Sequence, residues 1–169
     1  DLNAYTTKEK ICFYSAVLDN HLEKSIELLA DITFNSTFPE NHITKEKQVI
    51  LEEMAMYRDA PEDAIQDEFD EQIFPNHSLG RNILGTTETV SSFKRKDFKD
   101  FLERNLDTRK VIISSVGNYS AKKLFRLVKK YLGDVPEKSQ THGRTPANGY
   151  TPTRIELRKS ISQAHFAMG

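Results

Sequence analysis

Two acidic residues, Glu46 and Glu53, are candidates for chemistry because they lie seven residues apart in a segment with helical periodicity. Residues 41–58 are predicted to form a helix, and at about 100° per residue the two glutamates stack two turns apart. They fall beside Ile50 on the side expected to face inward, whereas Glu52 is expected to point into water. A carboxylate on an inward face is costly unless it is paired, hydrogen-bonded or bound to a cation. The pattern therefore indicates either an acid pair that binds a cation or two acids at the rim of the face that reach solvent.

The composition argues against several classes of function. The 169 residues include 24 Lys and Arg against 25 Asp and Glu, for a formal net charge of -1. No overall positive field therefore attracts nucleic acid or a membrane surface, and we expect neither as a partner. The single cysteine cannot form an internal disulfide and leaves the compartment open, with the cytoplasm slightly favoured.

The common short catalytic motifs are absent from the sequence. It contains no G-x-G-x-x-G, no P-loop, no G-x-S-x-G and no H-E-x-x-H, which argues against the commonest nucleotide-binding proteins, serine hydrolases and zincins. The five histidines are scattered and form no recognisable ligand set.

The elements that would position the two acids are predicted in the order ββαααααβαββ. Strands at 2–6 and 10–18 should form a hairpin, and the second strand is expected to be buried on both faces. Helices are expected from residue 19, at 41–58, 61–74, 87–92 and 96–105, and between Ser120 and Gly133, with further strands at 111–116, 154–160 and 163–168. This order predicts an α+β domain with a layered, antiparallel-rich sheet packed by helices.

One stretch of the chain has the composition of a linker. Residues 134–152 hold three of the six prolines together with glycine, serine and asparagine, which predicts an exposed linker or long loop. It would separate residues 1–133 from a last segment, 153–169, that we expect to supply further strands of the same sheet before the chain stops.

Three motifs carry a resemblance to a known family. The segments DLNAYTTKE, HITKEKQVILEEM and HSLGRNILGTTETVSS, in this order and at these intervals, resemble the insulinase/pitrilysin family of zinc metallopeptidases, which includes mitochondrial processing peptidase. The similarity spans nearly the whole chain. It implies an α+β half-domain of the kind that closes with a related half over a peptide, and it makes residues 1–133 the central part of the N-terminal metallopeptidase domain.

The resemblance also implies a site. In that family zinc is held by two histidines of an H-x-x-E-H motif, whose glutamate is the general base, and by a downstream glutamate. No H-x-x-E-H occurs in this sequence, and we expect that segment to lie upstream of Asp1. By the family match, Glu53 is the zinc ligand and Glu46 supports the site without being a ligand. Asn3 and Ala4, with Tyr5 beside them, would lie on the strand edge that pairs with an extended substrate.

The resulting hypothesis is a fragment of a zinc metalloendopeptidase that hydrolyses peptide bonds. Its expected partners are a peptide or small protein substrate and a second homologous half or subunit. Zinc is the expected cofactor of the parent protein, and the fragment alone is expected to be inactive and not to bind the metal. Two alternatives stay open: a non-catalytic peptide-binding or scaffolding member of the family, and an unrelated α+β protein-interaction domain that uses the same strand edge.

Overall fold

The computed structural model of the protein describes residues 1–141, 143–160 and 162–169, and the side chains of residues 58, 59 and 63 are also outside the description. Over this part of the chain the architecture is α+β, with two strands and six α-helices. They are β1 (Leu2–Thr6), β2 (Ile11–Ser15), α1 (Leu22–Phe34), α2 (Glu40–Asp59), α3 (Pro61–Ile73), α4 (Thr87–Ser92), α5 (Arg95–Asn105) and α6 (Ala121–Leu132).

The chain divides into two compact units, each described here by itself. The first unit comprises Asp1–Phe38 and Lys96–His142, and the second comprises Pro39–Arg95 and Gly143–Gly169. The described residues of 134–152 form turns and irregular backbone, while His142 of that predicted linker lies outside the described residues. The division of the chain at 134–152 stays a prediction.

The first unit begins with the predicted hairpin. β1 and β2 pair antiparallel with Ala4 opposite Phe13, and Thr7 closes the turn by donating its amide to the Lys10 carbonyl at 2.8 Å. The prediction that the second strand is buried on both faces is wrong, because side chains such as Phe13 and Ile11 are 40% and 54% exposed. Helix α1 packs on β2 but covers only part of it.

Helices α1 and α6 form the packed part of the first unit. Leu22 and Ala30 of α1 and Leu127 of α6 are buried, and the two helices contact each other. Helix α6 begins where the sequence predicts, since the Ser120 hydroxyl oxygen accepts a hydrogen bond from the Lys123 amide at 3.2 Å and so caps the first turn.

The second unit is built around α2, which contacts α3 and α4. Met54 of α2 and Val90 of α4 are its buried apolar side chains among the described residues. Helix α4 has the predicted bounds because of a capping box, in which Thr86 and Thr89 each accept the other's backbone amide through their side-chain oxygens. None of the described helices is both long and apolar enough to cross a bilayer.

Three predicted strands are wrong in the described chain. Residues 111–116, 154–160 and 163–168 form no strand, and the sheet over the described residues consists of β1 and β2. β-prone residues form a strand only where a neighbouring strand takes up their backbone hydrogen bonds. Lacking that pairing, Ile112 and Val116 are 89% and 99% exposed.

Candidate functional site

Helix α2 carries the two candidate glutamates. Glu46 and Glu53 lie two turns apart on it, and Glu52 lies on the far side of the helix. All three are exposed, so the prediction that Glu46 and Glu53 lie on the inward face is wrong for the described chain.

The packed face of α2 is rotated relative to the predicted one. The less exposed side chains are Ile43, Lys47, Ile50, Leu51 and Met54. Lys47 belongs to this face because its Nζ donates a hydrogen bond to the Ser91 carbonyl of α4 at 2.7 Å, which lays its aliphatic stem along the helix. Hydrophobicity alone does not place a lysine on the packed face, so the predicted inward side lies too far from Lys47 and too close to the two glutamates.

The rotation leaves an open stripe on α2 that contains both glutamates. This α2 stripe consists of Glu46, Val49, Glu53, Met56 and Tyr57, and its three apolar members are 54%, 72% and 42% exposed. Large apolar side chains grouped in this way on an exposed surface are typical of an interaction face. The Glu46 and Glu53 carboxylates thus lie on a surface typical of protein–protein contacts.

The two glutamates differ from the structurally engaged acids of the chain. The side-chain carboxylates of Glu46 and Glu53 make no hydrogen bond or ion pair with another described residue. By contrast, Glu23 accepts from Lys130 Nζ at 2.7 Å and from the Tyr131 hydroxyl at 3.1 Å, and these contacts lower its pKa. The acids of α2 are therefore available to a ligand.

The described residues offer zinc a single candidate ligand on α2. A glutamate oxygen is a usual zinc ligand, and the unpaired Glu53 carboxylate could serve as one. The described residues, however, bring together no group of three His, Cys, Asp or Glu that could hold a metal ion. By themselves the described residues do not form a complete metal site, so no catalytic step through zinc follows from them.

The hydrogen-bond register of the hairpin defines the open edge of β1. Asp1 exchanges both backbone hydrogen bonds with Ala16 at one end, and Thr7 bonds to Lys10 at the other. Because hydrogen-bonded and non-hydrogen-bonded pairs alternate in an antiparallel ladder, every second residue from Asp1 to Thr7 bonds to β2 through its backbone.

The backbone groups of Leu2, Ala4 and Thr6 therefore point away from β2, toward the open edge. In this register Asn3 and Tyr5 turn their backbone groups to β2, opposite Tyr14 and Cys12. Asn3 reaches the edge through its side chain, whose Oδ1 accepts the Ala4 amide at 2.8 Å. An extended peptide could take over that amide by displacing one side-chain hydrogen bond.

A cleft of about 190 Å³ lies beside the α2 stripe within the second unit. It is lined by Met54 and Tyr57 of α2, by Asp67 and Glu68 of α3, and by residues that include Asn82 and Leu84. Asn82 donates to the Asp67 carboxylate. No role for Asp67 is predicted from the sequence, in which the one pointer to it is its partner Asn82 in the HSLGRNILG motif.

The candidate residues thus fall into two groups. Asn3, Ala4 and Tyr5 lie together on β1 of the first unit, and Glu46 and Glu53 lie together on α2 of the second. The roles of these residues in binding metal or peptide stay predictions.

Two family sequence models match consecutive parts of the chain. Residues 1–87 match the model described as insulinase, peptidase family M16, and residues 92–169 match the model described as the M16 peptidase inactive domain. Both the glutamates and the β1 edge lie in the first of these parts.

Curated relatives agree with this match. The chain is 38% identical over 168 residues to a Bacillus subtilis protein named uncharacterized zinc protease YmxG, covering 99% of this chain and 41% of that protein. It is 35% identical over 172 residues to the beta subunit of mitochondrial-processing peptidase from Bos taurus, covering 99% of this chain and 34% of that subunit. The chain therefore spans about two fifths or less of the length of these relatives.

Solved structures show the same fold. The periplasmic protease PqqL from Escherichia coli superposes with a TM-score of 0.76 at 20% identity, over 88% of this chain and 17% of PqqL. A protease from Helicobacter pylori superposes with a TM-score of 0.71 at 22% identity, over 89% of this chain and 36% of that protease. With sequence models, relatives and fold in agreement, the chain belongs to the insulinase family of peptidases, M16.

Proposed function

We propose that the full-length protein is a zinc-dependent endopeptidase, to which this chain supplies one metal ligand and part of the peptide-binding edge. The observation that carries the proposal is the 38% identity to a protein named as a zinc protease, over 99% of the chain. The unpaired Glu53 carboxylate on the α2 stripe supports it, because an exposed acid without a partner is free to bind a cation.

Within this function the two glutamates have different roles. Glu53 is the zinc ligand, and Glu46, two turns away on the same side of α2, supports the ligand without touching the metal. The other ligands and the base would come from residues outside this chain, since the sequence contains no H-x-x-E-H. Bound zinc would supply a polarised carbonyl and an activated water for peptide hydrolysis.

The substrate is a peptide or small protein in extended form. The outward amide and carbonyl of Ala4 would pair with its backbone, with Asn3 and Tyr5 beside it, as in other complexes that extend a sheet edge. A second homologous half or subunit would cover the α2 stripe.

The main alternative is a family member that binds peptide or scaffolds a complex without catalysis. The description of residues 92–169 as an inactive domain does not favour it, because Glu53 and the β1 edge lie outside that part. The other alternative, an unrelated α+β protein-interaction domain, is excluded because the chain belongs to the M16 family.

The test uses the full-length protein, purified with its natural metal. We expect about one zinc per protein by metal analysis, together with cleavage of a fluorogenic peptide that stops on chelation and returns with added zinc. Binding of the peptide without cleavage, in a protein that holds no zinc, would establish the non-catalytic alternative.

A further inference from the structure

Helix α6 has an unusual distribution of charge. Five of its twelve residues are Lys or Arg and none is acidic: Lys122, Lys123, Arg126, Lys129 and Lys130. Residues three and four apart share one face of a helix, so Lys122, Phe125, Arg126 and Lys129 form a single surface, here called the basic face.

The basic face is not neutralised by the described residues around it. Glu23 of α1 pairs with Lys130 at 2.7 Å and also acts electrostatically on Arg126. Lys122, Lys123 and Lys129 make no ion pair within the described part of the chain. Their charges are therefore directed outward.

An exposed aromatic ring lies in the middle of these cations. The Phe125 side chain is 72% exposed, and it lines an open concavity of about 560 Å³ together with Ser120 and the basic residues. A large apolar ring surrounded by cations can take up an apolar side chain while the cations bind carboxylates.

We propose that the basic face of α6 binds an acidic polypeptide segment whose carboxylates are spaced one helical turn apart around an apolar side chain. This spacing matches the cations at 122, 126 and 129, and the apolar side chain would rest on Phe125. The basic face has no part in the proposed catalytic function, so the two proposals are tested independently of each other.

The geometry favours a polypeptide over a membrane or a nucleic acid. A helix that binds membranes inserts its apolar face, but that face of α6 is packed on α1, with Leu127 only 3% exposed. A nucleic acid would need an extended positive field, and the chain has a net charge of -1. A short acidic segment needs only the local cluster.

The experiment measures fluorescence anisotropy of a labelled peptide with the full-length protein at low and moderate salt. The probe is a helical peptide of about 15 residues, with glutamates spaced three and four residues apart and one leucine between them. Its partner probe carries glutamine at each glutamate. We expect the acidic peptide to bind, its affinity to fall with salt, and the glutamine peptide not to bind.

Two variants make the test specific. K122E/K129E should weaken binding at least about tenfold, whereas K45E/K99E, which changes the net charge equally on exposed residues of α2 and α5, should leave binding unchanged. F125S tests the apolar contact without a charge change and should weaken binding with little effect on the salt dependence. Thermal melts of each variant verify folding.

Three outcomes would overturn the proposal. The first is that K45E/K99E loses as much binding as K122E/K129E. The second is that K122E/K129E still binds the acidic peptide. The third is that the acidic peptide does not bind, while phosphatidylserine vesicles or a single-stranded oligonucleotide bind through Lys122 and Lys129.

Discussion

Glu53 and Glu46 share one side of α2 with Val49, Met56 and Tyr57, and Glu52 stands on the other side. All three glutamates are exposed in the described chain, so exposure does not separate them. What separates them is helical phase, because only Glu46 and Glu53 belong to the α2 stripe that a partner would cover.

This phase predicts an order of effects in the full-length protein. E53Q should abolish peptide cleavage and most zinc affinity, because it removes a charged ligand. E46Q should reduce activity about 10- to 100-fold with partial zinc retention, as is usual for groups that support metal ligands. E52Q is the control and should change neither zinc content nor cleavage.

The measurement is zinc content and peptide cleavage on the same preparations. Loss of zinc in E52Q with retention in E53Q would show that the alignment and the phase are both wrong by one residue.

Asp107 is the buried carboxylate of the first unit. It accepts the Arg109 amide at 3.1 Å, the Arg109 guanidinium at 3.2 Å and the Gln140 amide at 3.2 Å. Beside it, Thr108 and Lys138 exchange hydrogen bonds through the Lys138 backbone. The hydrogen bonds from Arg109 lower the pKa of Asp107 from 3.8 to about 2, against the opposite effect of burial. Asp107 and Thr108 thereby tie Gln140 and Lys138 to the chain that follows α5.

We expect D107N to lower the melting temperature at neutral pH by a few degrees. The asparagine amide has one acceptor oxygen instead of two, and its NH2 group would face the N–H donors of Arg109 or Gln140. Since the folded pKa is lowered, the stabilising effect is complete above about pH 4 and is lost as the pH falls toward 2. The difference in Tm between wild type and D107N should therefore shrink over that interval. D134N, at an exposed acid, is the matched control, and a pH-independent difference would contradict the role of the charge.

At the scale of elements, the open edge of β1 presents backbone groups that β2 leaves unpaired and that a peptide could bind. The Ala4 amide points to that edge and, within the described chain, donates to the adjacent Asn3 side chain alone. A4P removes this donor without removing a hydrogen bond to β2.

A4P should raise KM for a peptide substrate about tenfold in the full-length protein, with kcat changing less, because a ground-state backbone contact is lost. An unchanged melting temperature would show that the hairpin is intact. An unchanged KM in a folded A4P protein would place the peptide elsewhere.

Two segments of the second unit that lie outside its α-helices differ in how they are held. In the segment 75–85, His77 Nδ1 accepts the Leu79 amide at 3.2 Å, Asn82 accepts the Leu84 amide at 2.8 Å, and Gly80 is buried. A Cβ at Gly80 would lie 2.4 Å from the Phe74 carbonyl oxygen, so the turn closes tightly there. Residues 143–152 are exposed throughout.

Limited proteolysis should therefore cut 143–152 well before 75–85. Because His77 Nε2 lies 3.1 Å from the Thr145 carbonyl, H77A should speed the first cut, and H42A should not. Mass spectrometry of early fragments makes the comparison. First cuts within 75–85 would show that its hydrogen bonds do not hold in solution.

On the scale of the whole molecule, little apolar surface is buried. The buried apolar side chains of the described chain are Leu22, Ala30, Met54, Val90 and Leu127, whereas many larger ones are exposed. Exposed apolar surface of this extent is typical of surfaces that meet other protein. In a longer protein, other residues would cover these exposed apolar side chains. The relatives are longer proteins of this kind, since the chain spans about two fifths or less of their length.

The 169-residue chain by itself should bind zinc below one equivalent after dialysis and should not cleave a fluorogenic peptide. One carboxylate cannot replace the three protein ligands of a catalytic zinc site. Metal analysis and the peptide assay on the purified chain measure both. A tightly bound equivalent of zinc would reveal a site that the described residues do not form.

Local sequence was sufficient for the helices, the hairpin and the family. The caps at Ser120 and Thr86, Pro61 at the start of α3 and the Thr7 turn act over a few residues, so their effects can be predicted from spacing. The three motifs carried the family resemblance because each is contiguous.

Tertiary structure decided what depends on distant residues. Lys47 joined the packed face of α2 by reaching Ser91, which turned both glutamates outward, and Asp107 became buried through Gln140. Residues 111–116 have the composition of a strand but lack a pairing strand in the described chain. Burial, charge pairing and strand formation all require a partner from elsewhere in the fold, and periodicity along one segment contains no information about that partner.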